Sequence, residues 1–185
     1  IYKSSKFNKD YYDLNYFSNE DSVDITYIST LDALGRDRII IEDHGVGLGG
    51  DRLFGFFTIG YSSKRLSNKY LGAFGLGCKS PLSTGVDSYT LISNHNGRQF
   101  KFEVFSQKID CVYSKWNEDG SENKYISYTS KDGKEFRAYY VETTEKNGVR
   151  IMFDVKKHNK PEFIRAVKSQ LQYIKEQINF CEQVE

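Results

Sequence analysis

The sequence predicts an α+β protein, a two-layer sandwich in which a mixed, mostly antiparallel sheet carries helices on one face. Three observations carry this expectation. Two β-branched runs, VDITYIS (23–29) and RIIIED (38–43), flank a polar turn around Gly35 and predict a hairpin or two neighbouring strands. Beyond residue 86, strand-like pieces alternate with polar turns, the rhythm of an antiparallel meander. Near the end, Pro161 opens PEFIRAVKSQLQYIKEQI, where Phe163, Val167, Leu171, Ile174 and Ile178 recur at helical spacing.

In chain order, residues 1–22 mix aromatics with Lys, Asn and Asp in no sustained period, although Phe7, Tyr11 and Leu14 could share one side of a short helix. From Gly45 to Gly77 the chain holds nine glycines and two short apolar pieces, RLFGFFTIG and YLGAFGLG, of which the first predicts a brief helix. The meander pieces are DSYTLIS, RQFKFEVF, CVYSKW, KYISYTS, FRAYYVE and GVRIMFDV, separated by NHNG, EDGSEN, KDGK and EKNG. A carboxy-terminal helix is expected over 160–180. No repeat or low-complexity tract interrupts the pattern, and 185 residues fit a single domain spanning 1–185. The first residue is Ile rather than Met, so further chain is expected upstream.

Composition narrows the class. With 26 Lys and Arg against 25 Asp and Glu, the net charge of +1 gives no electrostatic case for nucleic acid or an anionic membrane. No apolar run approaches the roughly 20 residues of a transmembrane helix. Cys78, Cys111 and Cys181 are odd in number and far apart, which suits a reduced cytoplasmic interior better than a disulfide framework or zinc site. The 14 Tyr and 13 Phe supply large buried surfaces, so disorder is not expected.

The chemistry concentrates in GAFGLGCKS (72–80), which has the composition of a phosphate-binding loop. It is not a P-loop, because Cys78 separates Gly77 from Lys79 where that loop needs them adjacent. Nor is it the dinucleotide fingerprint, whose closely spaced glycine pair comes first, whereas here it comes last. Upstream, RIIIED runs into DHGVGLGG, placing Asp43 at the tip of a strand before a Gly-x-Gly turn. A carboxylate there can accept a hydrogen bond from an amine lying flat in a pocket, such as the exocyclic amine of adenine. Between these motifs lies TIGYSSK.

The order Asp-x-Gly-x-Gly, then Ser-Ser-Lys, then Gly-x-x-Gly-x-Gly resembles the ATP-binding proteins of the GHKL group, with the Bergerat fold. From about Ile39 to Pro81 the chain looks most like the rapid-lysis protein A (rIIA-like) proteins of tailed phages. The resemblance implies ATP with Mg2+ as ligand, the cytoplasm of an infected bacterium as setting, and a protein partner or homodimer served by a nucleotide-driven switch. It assigns Asp43 to adenine, Gly45 and Gly47 to its turn, and Gly60, Ser62, Ser63 and Lys64 to a mobile lid. Gly72, Phe74, Gly75, Leu76 and Gly77 become the phosphate loop, and Lys79 a direct phosphate contact. The group's catalytic helix bears a Glu and, four residues on, a magnesium-holding Asn. Residues 1–22 offer only Glu20, with Asp24 four positions later, so binding with weak or no hydrolysis is expected; the alternative is a degenerate nucleotide-binding or non-catalytic scaffold or structural protein of a phage. The group also often carries Gly-Thr near the last strand, where this chain has Gly148-Val149.

Other conspicuous residues have plainer readings. His44 has no second His or Cys near it in sequence, His95 and His158 lie in predicted turns as solvated side chains, Cys78 is a small packing residue, and Trp116 packs on a sheet face.

Overall fold

The computed structural model describes residues 22–31, 35–58, 80–83, 85–129, 133–170 and 178–184. Among these, strands β1 (Val23–Ser29) and β2 (Arg36–Asp43) pair antiparallel, with Ile25 opposite Ile41 and Tyr27 opposite Ile39. After β2 the chain turns into α1 (Asp51–Phe57), and α2 (Ser80–Ser83) precedes the hairpin β3 (Ser88–His95) and β4 (Arg98–Phe105). That hairpin closes through Asn96 and Gly97, both with positive φ, the two-residue chemistry that matches strand twist. Short strands β5 (Ile109–Cys111), β6 (Tyr125–Thr129), β7 (Glu135–Tyr139) and β8 (Val141–Glu142) follow. The long β9 (Gly148–Lys156), a 3-10 turn at Lys157–Asn159, α3 (Lys160–Gln170) and β10 (Ile178–Val184) complete the described chain.

The main sheet has eight strands in the order β10-β1-β2-β9-β3-β4-β5, with β8 also paired to β4, while β6 and β7 form a separate ribbon. Every pairing is antiparallel except that of β10 with β1. Alternation puts Ile39, Ile41 and Asp43 of β2 on one face. On this face Tyr27, Ile39, Leu91 and Phe153 form a core against Leu53 of α1 and Phe163 of α3. Leu53 is fully buried, and the ring of Phe163 stands 5.6 Å from that of Tyr27. Buried Asp37 is satisfied by the Tyr27 hydroxyl at 2.8 Å and the Thr30 amide at 3.0 Å, and burial, helped by that carboxylate, pushes the Tyr27 phenol far above its usual range.

This architecture corrects the expected fold. The described residues are mostly strand, with a large mixed sheet, and do not form the helix-on-sheet α+β sandwich of the Bergerat fold. Their three α-helices contain 7, 4 and 11 residues, too little to make a layer over eight strands. Part of the discrepancy is the expected helix over 160–180. Helix α3 runs Lys160–Gln170, but Ile178, which completes the helical spacing, begins a strand that aligns residue by residue with β1. Pairing with a distant β-branched edge overrides a local period. The meander is also rearranged, since β9 inserts between β2 and β3. CVYSKW contributes only Cys111 to a strand, and Trp116 is 55% exposed beneath the Lys115 ammonium rather than packed on a sheet. The β1–β2 pair, the brief helix after Gly50 and the β3–β4 hairpin stand where the sequence places them.

Candidate functional site

Asp43 is the last residue of β2, and its Oδ1 accepts the Gly45 amide at 3.0 Å. This Asx-type turn fixes the carboxylate on its own backbone. Gly45 leaves the space beside it open, since a Cβ there would stand 3.2 Å from Oδ1. Gly47 has φ +72°, and a Cβ on it would lie 1.9 Å from the carbonyl oxygen of Asn94, so only glycine lets the turn press against the end of β3. From the other side Gly148 of β9 presses on the Asp43 carbonyl, and Val149 pairs directly with Asp43.

The loop after Asp43 is held by two side chains of β3. Ser93 is fully buried, its Oγ accepting the Leu48 amide at 2.7 Å and donating to the Leu48 carbonyl at 3.1 Å. His95 Nδ1 lies 2.7 Å from the Val46 carbonyl, which can only accept, so Nδ1 carries a proton; the Asn96 side-chain amide, 3.3 Å from Nε2, suits the same tautomer. The expectation of a solvated His95 is therefore corrected. Its ring packs where a Cβ on Gly49 would be, 2.2 Å from Cδ2. Neither Ser93 nor His95 was legible as a site residue, because both serve a loop more than 40 positions away.

The opposite face of the same strand end carries different chemistry. His44 Nε2 is 2.7 Å from Asp24 Oδ2, and the Asn179 amide donates to Asp24 Oδ1 at 2.8 Å. The His44 hydrogen bond, then that from Asn179, holds the Asp24 carboxyl below its usual range. Glu42 accepts two hydrogen bonds from Arg150, at 3.1 and 2.8 Å, and the pair holds the guanidinium above its usual range. His44 and Glu42 are thus engaged across β1 and β9, facing away from Asp43. A cavity of about 270 Å³ on this face is lined by Glu42, His44, Ile92, Asn94 and Arg150, and another of about 750 Å³ lies by Arg98 and Tyr140; neither counts Asp43 in its lining.

Of the sequence-predicted site, the structure brings together Asp43, Gly45 and Gly47. Gly60, Ser62, Ser63, Lys64, Gly72, Phe74, Gly75, Leu76, Gly77 and Lys79 lie outside the described residues. Among the described residues no group of three His, Cys, Asp or Glu is arranged to hold a metal ion, and no helix is long and apolar enough to cross a membrane. Cys111 and Cys181 are free thiols. No protein-family model matches the chain, and a search of curated proteins found no match.

Proposed function

We propose that the chain binds adenine nucleotides, with Asp43 accepting the exocyclic amine of the base. The observation that carries this is the Asp43 turn itself, a carboxylate anchored to the Gly45 amide at a strand end, with glycines keeping side chains away. A carboxylate has lone pairs for several donors at once, so a ligand amine can join the donors Asp43 already holds. The resemblance of residues 39–81 to the rIIA-like members of the GHKL group supports the same reading at the phosphate end. There the glycines of 72–77 would supply backbone amides to the anion and Lys79 a charge, with magnesium arriving on the nucleotide.

Binding without efficient turnover fits best. Hydrolysis needs a carboxylate placed to take a proton from water. Glu42 is tied to Arg150 on the far face of the sheet, and Glu20 lies outside the described residues. Calorimetric titration of the folded chain with ATP and magnesium tests the reading. Heat of binding that saturates below millimolar nucleotide is expected, and no binding at millimolar ATP or ADP overturns it.

A further inference from the structure

We infer that Ser93 and His95 are positioning residues for Asp43, a two-point clamp by which β3 presets the adenine end of the site before any ligand arrives. The inference rests on the nucleotide-binding reading above. Residues 43–50 leave the sheet through Gly47 and Gly50, both with positive φ, a glycine-rich path that costs more conformational entropy to order than most sequences. Besides the His44–Asp24 contact, two side chains of one strand hold the backbone of that path to the sheet. Ser93 and His95 are two residues apart on β3 and so project from the same face. Ser93 takes both backbone groups of Leu48, and His95 takes the carbonyl of Val46.

The anchors act at different depths. Ser93 is fully buried, so removing its hydroxyl takes from the part-buried Leu48 amide and carbonyl the partner they share. His95 is half-buried, and only its Nδ1 proton is needed, a donor that an asparagine amide at the same position can supply. Between the anchors Gly47 is pressed on the Asn94 carbonyl, so the loop cannot slide along β3. Because the Gly45 amide is itself the donor to Asp43, a displacement of Val46 is transmitted to the carboxylate through one peptide unit.

The test titrates ATP into wild type, His95→Ala, His95→Asn and Ser93→Ala, and follows amide hydrogen exchange at Val46–Leu48 in the same folded proteins. His95→Ala should weaken ATP by about two- to tenfold, the size of one lost neutral hydrogen bond, and speed exchange at the loop. His95→Asn should restore both, which a role in bulk packing would not predict. Ser93→Ala, if it folds, should weaken ATP at least as much. His95→Ala with wild-type affinity, or His95→Asn no better than His95→Ala, overturns the clamp while ATP binding stands. Wild type that fails to bind ATP overturns the nucleotide reading and the clamp with it.

Discussion

A Cβ on Gly148 would stand 2.3 Å from the carbonyl oxygen of Asp43, so β9 and the end of β2 meet at backbone contact. Gly148 has no positive φ; its need for glycine is the close approach alone. Gly148→Ala should force β2 and β9 apart where Asp43 is held, costing about 1–3 kcal/mol by overpacking. Urea denaturation measures the loss, and ATP titration of the folded variant should show weaker binding as well. A variant as stable as wild type would mean the strands part freely there.

Asp43→Asn should weaken ATP by about 1.5–3 kcal/mol, roughly ten- to a hundredfold, because a charged acceptor facing an amine is replaced by a group that is half donor. The Asn side-chain oxygen can still accept the Gly45 amide, so thermal stability should change little. Calorimetry and a thermal melt on the same sample separate the two effects. Equal affinity of variant and parent would remove Asp43 from the site.

Gly47→Ala combines a left-handed backbone with a Cβ 1.9 Å from the Asn94 carbonyl oxygen. The two costs together predict a loss of about 2–4 kcal/mol. Gly50 also has positive φ but nothing within 4 Å of its Cβ, so Gly50→Ala should cost only the backbone strain. Parallel denaturation curves should rank Gly47→Ala as the more damaging.

Asp24 predicts a pH dependence. Its folded-state carboxyl lies below the ordinary value of 3.8, so its protonated form is favoured in the unfolded chain. The corresponding stability is fully present above the unfolded value and is lost as pH falls through the folded one. Wild type should therefore lose stability as pH falls below about 5 more steeply than Asp24→Asn, with the two curves converging at the acid end. Urea midpoints collected across that range check it; parallel curves would show that the His44 and Asn179 contacts contribute nothing in solution.

Turnover should be slow. Among the described residues no carboxylate is assigned as general base, and the lack of one commonly costs about a hundredfold or more. Steady-state phosphate release should be near background, and Glu42→Gln should leave ATP affinity unchanged because Glu42 faces away from Asp43, tied to Arg150. Robust hydrolysis, abolished by Asp43→Asn, would place a catalytic carboxylate where none is assigned.

The elements legible in the sequence are those whose signals are local. The β1–β2 pair, the β3–β4 hairpin with its Asn96-Gly97 turn, and the Asp43-x-Gly45-x-Gly47 turn each follow from a few adjacent residues. What the sequence concealed depends on partners far along the chain. Residues 178–184 form a strand only because β1 offers an edge, and β9 lies between β2 and β3 through registers no local period encodes. His95 illustrates the same limit at the scale of one side chain. In sequence it belongs to a polar hairpin turn, and its role exists only because Val46 is brought beside it.

The parallel pairing of β10 with β1 has a kinetic consequence. Asn179 and Asp24, joined by a hydrogen bond across these strands, are 155 residues apart, and such sequence-distant contacts slow folding because loop closure must precede their reward. During synthesis at about 5–20 residues per second, β1 would wait roughly 8–30 s for this partner to be made. Over that interval its outer edge, rich in Ile25, Tyr27 and Ile28, is an open template for another strand. The nascent chain is therefore most prone to misassociation before β10 emerges, and a chain cut after Gln170 should aggregate even though the core strands β2, β9, β3 and β4 are complete.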